Sequence, residues 1–222
     1  MGIAAEKQII ADGYEANSNR MLFMMAAALG RRDTYTHAHA QRVSSYSSRL
    51  AIRAQLSGTI LHDIALGGML HDVGKLALSD NIFSNKQVGL SEKMLGEVRS
   101  HPLIGAALLS HIRCNSNISN AVLLHHERID GSGYPFGLHG TEIPLAAKIV
   151  SVADCFDAIT TDRPYQRRKT CEHAFSILEE MAGTCLDNEL VALMIEEIQA
   201  NGKEPIVPDP SSLIVASSPG NI

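Results

Sequence analysis

The stretch GGMLHDVGKLAL, residues 67–78, constrains this chain more than any other. Its apolar lead-in reads as the end of a buried helix. It delivers His71 and Asp72 side by side, with Gly74 and Lys75 just behind. An imidazole and a carboxylate together suit a divalent metal of borderline hardness. Gly74 is expected to let the backbone turn as the helix stops, and that turn aims Lys75 back at whatever the metal holds. A polar helix end facing solvent would present the same pair. Two features favour the metal. The pair follows apolar residues, where an unpaired charge is costly, and further His and Asp residues recur in similar settings downstream.

The segments around this stretch are helical in spacing or punctuation, and no convincing strand pattern or repeat is present, so the expected class is all-α. Residues 1–30 predict one or two helices ending near Gly30. Asp33 or Thr34 can cap the next, on which Tyr35, His39, Arg42, Val43 and Tyr46 share a face. Residues 58–69 form the apolar helix that leads to His71 and Asp72, and residues 79–90 read as a loop. Ser91 with Glu92, and then His101-Pro102, start two more helices. Residues 117–126 are helical and end in His125-His126. The segment 127–144, ERIDGSGYPFGLHGTEIP, carries four glycines and two prolines and is neither helix nor regular strand. Pro144 opens a long helix through Thr161 that carries Asp154 and Asp157 one turn apart. A basic loop, TTDRPYQRRK, precedes two closing helices over 171–182 and 188–199. The expected organisation is an N-terminal helical segment over 1–30, one domain over 31–201 and a mobile Pro/Ser-rich tail over 202–222.

Composition narrows the function. The 222 residues suffice for one sizeable domain, and 45% hydrophobic with 19% charged residues is an ordinary globular balance. The net charge of −5 excludes broad nonspecific nucleic-acid binding, so no DNA partner is expected. Cys114, Cys155, Cys171 and Cys185 form no CxxC pair and read as reduced thiols of a cytoplasmic protein. The start MGIAAEKQII lacks the apolar core of a signal peptide. The apolar run over residues 21–29 is too short to span a bilayer, so no membrane association is expected.

His39, His71, Asp72, His101, His125, His126 and Asp154 come from five expected helices or helix ends. Together they exceed the needs of one metal and suit two or three. Two metals about 3.5–4 Å apart can clamp the attacking and leaving oxygens of a phosphoester and lower the pKa of a water between them. A lone histidine is more often structural, and His37, His62, His111, His139 and His173 are assigned that role. His37 is two residues from His39, so a helix points it elsewhere.

The motifs DTYTHAHAQRV, GMLHDVGKLALSDNI, HPLIG, HHERIDGSGYPFGLHG, IPLAAKIVSVADCFDAITTDRPY and AGTCLDNELV, in this order, strongly resemble the HD-GYP phosphodiesterases, a branch of the HD superfamily. The match runs from about Arg31 to about Ala192. HDVGK alone is moderately specific; HHER, DGSGYP and VADCFDA following it make the match specific.

The resemblance implies an HD-type helical bundle with a glycine-rich GYP loop, a centre of iron or manganese ions, and hydrolysis of the second messenger cyclic di-GMP to pGpG or on to GMP. It places the metal ligands at His39, His71, Asp72, His101, His125, His126 and Asp154, with Asp72 between two ions. Asp72 and Lys75 are the implied catalytic pair, with Lys75 on the scissile phosphate. Arg163 falls where the family grips a phosphate of the ligand, and Asp33 where some members contact a guanine. Asp157 is read as a partner of the ligands, not as one of them. Asp130, Gly131, Gly133, Tyr134 and Pro135 form the signature loop. It is implied as a docking surface for a diguanylate-cyclase-type domain; a rigid turn that positions Arg128 and covers the site is equally open, and a substrate lid is a third use.

Three departures matter. Tyr35 stands four residues before His39, where trinuclear members carry Glu. A phenol with an ordinary pKa near about 10 is a poor ligand, so two divalent ions are expected and not three. Gln166 replaces an Arg or Lys found in many members and removes one charged phosphate contact. NKQVGLS replaces a Lys-Pro-Gly pattern, and losing that proline loosens the loop. The expected function is a metal-dependent cyclic di-GMP phosphodiesterase. The alternatives are a slow or non-catalytic effector acting through the loop, and a phosphohydrolase of another cyclic dinucleotide. The oligomeric state is left open.

Overall fold

Apolar residues three and four apart fill two cores, and the helices that carry them bring the polar residues to the seam between. The computed structural model describes residues 18, 20–32, 34–84, 91–112, 114–162 and 167–204. The helices in order are α1 (residues 20–32), α2 (Thr34–Arg53), α3 (Gly58–Leu70), α4 (Asp80–Ser84), α5 (Glu92–Arg99), α6 (His101–Leu109), α7 (Ser116–Leu124), α8 (Leu145–Thr160), α9 (Cys171–Met181) and α10 (Asn188–Asn201). Short 3₁₀ turns cover Val73–Ala77 and Gly140–Glu142. Among the described residues no strand is present, only the isolated bridges Asp130–His139 and Ala182–Leu186. The class is all-α, as the spacing predicts. No helix of the described residues is long and apolar enough to cross a membrane.

The larger core joins Val43, Tyr46 and Leu50 of α2 to Ile149, Val150, Ala153 and Phe156 of α8, with Leu178 of α9 and Met194 of α10. The smaller joins Leu22 and Ala26 of α1 to Leu66, Leu70, Val73, Leu109, Ile118 and Val122. Ser91 caps the helix that it is expected to start, accepting from the Met94 amide. Thr170 and Asp187 also cap, accepting from the amide of His173 and from those of Glu189 and Leu190, while the expected cap Asp33 lies outside the described residues. Arg49 ties the end of α10 to α2. Its guanidinium meets Glu197 at 3.1 Å and donates to the carbonyls of Gly202 and Glu204, while the Tyr46 hydroxyl donates to that of Lys203. The first three residues of the expected tail are thus held, and residues 205–222 lie outside the described ones.

Three local expectations are corrected. Gly30 does not end the first helix: α1 runs through residue 32. A glycine inside a helix costs about 1 kcal/mol, which tertiary contacts offset. Leu22, Ala26 and Leu29 are buried, and Arg32 donates to the carbonyls of Leu76 and Leu78 and pairs with Asp80. Residues 79–90 are not wholly loop, because Asp80–Ser84 form the short α4; residues 85–90 lie outside the described ones. The third correction concerns why Gly74 is glycine. It is absent from the positive-φ residues, so no left-handed turn requires it. A Cβ there would lie 1.9 Å from the His101 carbonyl oxygen and 2.7 Å from the Gly105 nitrogen. Gly74 therefore lets the turn after α3 touch the start of α6, which holds His71, Asp72 and His101 close together.

Since backbone cannot yield as a side-chain tip can, Gly74→Ala should exceed the usual overpacking cost of about 1–3 kcal/mol. For a chain of this size that is a drop in Tm of at least about 6 °C. Thermal unfolding followed by circular dichroism checks it, and an unchanged Tm would show that the contact relaxes freely.

Candidate metal centre

All seven expected ligands come together at the seam. His39 is carried by α2, His71 and Asp72 follow α3, His101 opens α6, His125 and His126 follow α7, and Asp154 projects from α8. Three overlapping groups form: His39, His71 and Asp154; His71, Asp72 and His125; and His101, His125 and His126, the ligand atoms of each lying within 4.8 Å of one another. The Asp72 carboxylate sits between the outer two. One oxygen is 3.3 Å from His101 Nε2; the other is 3.4 Å from His71 Nε2 and 3.9 Å from His39 Nε2. His37, His62, His111, His139 and His173 join none of these groups.

Four of the rings are aimed by the nitrogen that faces away. His71 Nδ1 donates to the Gly68 carbonyl at 2.7 Å, His101 Nδ1 to that of Val98 at 2.6 Å, and His125 Nδ1 to those of Ala121 and Val122 at 3.1 and 3.0 Å. His39 Nδ1 donates to the Asp157 carboxylate at 2.7 Å. Asp157 is fully buried and is held in turn by Arg42 at 2.5 and 3.1 Å and by the Thr161 hydroxyl. It thus takes the supporting place expected of it. A carbonyl only accepts, so the Nδ1 protons of His101 and His125 are fixed, and in the neutral rings both Nε2 atoms are lone pairs. They face each other at 3.3 Å. Two acceptors facing at that distance repel unless a cation lies between them, and an imidazole and carboxylate set of this kind fits divalent metal ions.

The electrostatics agree. Burial and neighbouring rings hold His125 well below the ordinary imidazole value. Burial also lowers His101 against the pull of Asp72, and pushes His126 down to about 4. These rings stay neutral at physiological pH, as ligands must. Burial opposes charge on His39 too, but Asp154 and Asp157 prevail and raise it to about 9. A metal ion held at His39 would take the place of that proton. Burial pushes Asp72 and Asp154 up; Lys75 and the rings around Asp72, and His39 beside Asp154, overcome it and keep both ionised. The Lys75 ammonium is 2.6 Å from Asp72 and partly exposed, at the rim of the centre.

The signature loop packs onto this centre. The Tyr134 ring stacks on His126 at 4.7 Å and 26°, and the Arg99 guanidinium lies over the same ring at 5.7 Å. Gly133 is obligatory, since a Cβ would meet the Arg128 nitrogen at 2.4 Å and the His126 carbonyl oxygen at 2.6 Å. Gly131 takes a φ of 77°, with the Asp130 carboxylate accepting from the Ser132 amide. Pro135 follows Tyr134 through a cis peptide. Arg128 is exposed, and Phe136 is the exposed large apolar residue of the loop. Two contributors escaped the sequence reading. Glu127 was visible only as the third letter of HHE, and its partners are loop amides nine and eleven residues on. Arg99 gave no signal. Asp33, Arg163 and Gln166 lie outside the described residues, as does the side chain of Tyr35.

The HD-domain family model matches residues 23–190. A cyclic di-GMP phosphodiesterase of Thermotoga maritima is 38% identical over 169 residues, which are 74% of this chain and 45% of the relative. One from Pseudomonas aeruginosa is 40% identical over 152 residues, 68% of this chain and 36% of the relative. The chain therefore spans less than half the length of these two curated relatives. Among solved structures, a cyclic GMP-AMP-specific phosphodiesterase of V. cholerae shares the fold, with a TM-score of 0.65 and 16% identity over 89% of this chain and 53% of that one.

Proposed function

The chain belongs to the HD-domain family, in its HD-GYP branch, and from that membership we propose that it is a metal-dependent phosphodiesterase hydrolysing cyclic di-GMP to pGpG or on to GMP. The observation that carries the reading is the pair of facing Nε2 lone pairs on His101 and His125, with the Asp72 carboxylate beside them. His39, His71 and Asp154 would hold one ion, His101, His125 and His126 a second, and Asp72 would reach both. Two ions, iron or manganese, are proposed. When bound, they supply Lewis-acid charge neutralisation and a water of lowered pKa.

The chain's own residues do the rest. Asp157 keeps His39 in the tautomer whose Nε2 faces inward. Lys75 brings a cation to the rim, beside the charge that grows on the phosphate oxygens as the bond from phosphorus to O3′ breaks and one to water oxygen forms. Arg163 and the position of Gln166 are proposed to hold the second phosphate, and Asp33 a guanine. The exposed Phe136 gives the outer face of the loop to a partner, for which a diguanylate-cyclase-type domain is the proposed class.

Protein purified without oxygen should carry two metal ions per chain by elemental analysis and hydrolyse cyclic di-GMP, with turnover lost to a chelator and regained with metal. Because one neighbour in fold is named for cyclic GMP-AMP, that dinucleotide belongs in the same assay. Three ions per chain would overturn the count. Tight binding of cyclic di-GMP by the fully loaded protein without hydrolysis would replace the enzyme with an effector.

A further inference from the structure

His126 differs from the other four histidines of the centre. Among the described residues no hydrogen bond to its ring nitrogens fixes the ring, whereas His39, His71, His101 and His125 are each aimed by an acceptor on Nδ1. What touches the His126 ring is other rings: Tyr134 at 4.7 Å and nearly parallel, His125 at 4.1 Å and tilted, and His101 at 5.1 Å and edge-on. Of these only Tyr134 stacks on its face, so the orientation of the ring leans on the placement of Tyr134. On the side toward His126, that placement is set by backbone. The Tyr134 amide donates to the His126 carbonyl at 3.1 Å, and Gly133 sits against the backbone of residues 126–128.

Beyond Pro135 a buried side chain grips the loop on its inner side. The Glu127 carboxylate, only 3% exposed, accepts from the Phe136 amide at 2.7 Å on one oxygen and from the Leu138 amide at 2.9 Å on the other. Hydrogen bonds to an ionised acceptor are the stronger kind. Glu127 is also the residue next after His126, so the same short stretch presents the ligand and grips the loop that covers it.

We propose that Glu127 is a positioning residue of the metal centre: by closing the glycine-rich loop around its carboxylate it seats Tyr134 on His126 and keeps that imidazole in its ligating orientation. The inference rests on the metal reading above. Each Glu127 oxygen serves a different amide, so Glu127→Gln must set an NH₂ against one N–H donor and lose that contact. Tyr134→Leu removes the stacked ring and leaves Glu127 with both amides, while Tyr134→Phe keeps the ring.

The test is calorimetric titration of metal-free protein with Mn²⁺, alongside thermal unfolding of the same samples. Wild type should load two ions. In Glu127→Gln and Tyr134→Leu one of the two sites should weaken by about 10- to 100-fold, as losing a ligand's support does, with the other site nearly unchanged. Tyr134→Phe should restore the wild-type pair of affinities. A loop with a merely structural role would lower the unfolding temperature and leave both affinities alone, and that outcome overturns the inference. So does an equal loss at both sites. Should Glu127→Gln not fold, the Leu and Phe variants at Tyr134 decide the matter alone. Wild type that loads no second ion would sink the metal reading, and the inference with it.

Discussion

Asp72→Ala should lose both metal and hydrolysis. Removing support for a ligand costs about 10- to 100-fold in metal affinity or activity, and Asp72 is placed as a ligand between two groups, so the loss should exceed about 100-fold in each. Its two oxygens approach His71 Nε2 at 3.4 Å and His101 Nε2 at 3.3 Å, and no other carboxylate lies between these rings among the described residues. Asp72→Asn keeps the shape and removes the charge. It should fail almost as badly, because an amide brings one neutral oxygen and a donor into a set built from acceptors. Lys75 loses its partner in both variants, so Lys75→Met serves as the comparison. It should keep its metal while turnover falls, since its cation stands at the rim and not among the ligands. Metal titration and single-turnover hydrolysis of cyclic di-GMP read the two effects separately. Asp72→Ala protein that still bound two ions would remove Asp72 from the centre.

The parts of this architecture legible in the sequence share one property: their signal is local or carried by a motif. Val43 and Tyr46 announce their helix face by spacing alone, and Pro102 and Ser91 announce helix starts by chemistry that acts within one turn. DTYTHAHAQRV, HDVGK, HPLIG, the HH pair and VADCFDA name seven residues that the fold then gathers from five separate helices or helix ends. The sequence could not say how they are aimed, because the acceptors behind His71, His101 and His125 are main-chain carbonyls that every residue possesses.

The misses have the opposite character. Gly74 was visible, but its reason was not. The expected turn was a local explanation, while the actual one is the His101 carbonyl, 27 positions along the chain. Gly30 read as a stop because helix propensity is a weak prior, and contacts such as that of Arg32 with the turn after the HD pair override it. Glu127 looked like an ordinary charged residue in a polar loop. Its burial follows only from the path of the loop, which no periodicity encodes.

Asp157→Ala should be the most costly change outside the ligands, in stability and in metal affinity together. The side chain is fully buried, and three partners depend on it: Arg42 at 2.5 Å, the Thr161 hydroxyl at 3.1 Å and His39 Nδ1 at 2.7 Å. Breaking a buried ion pair by removing one member costs about 3–5 kcal/mol, because the other charge is left uncompensated. The Arg42 side chain keeps 20% exposure and water can reach it, so the lower end applies. At about 2–4 °C per kcal/mol for a chain of this length, Tm should fall by about 6–12 °C. The second effect is separate. Without the Asp157 acceptor on Nδ1 the His39 ring loses the contact that fixes its tautomer and can carry its proton on Nε2, the atom that faces Asp154. Metal affinity at the His39, His71 and Asp154 group should drop by about 10- to 100-fold. Asp157→Asn distinguishes the two effects. Its amide oxygen can still accept from His39, so the ligand should remain aimed, while the charge opposite Arg42 is gone and the loss of stability persists. Thermal unfolding of metal-free protein and Mn²⁺ titration of the folded form check each prediction. An Asp157→Ala protein that unfolds early yet binds metal with wild-type affinity would make Asp157 a partner of Arg42 alone.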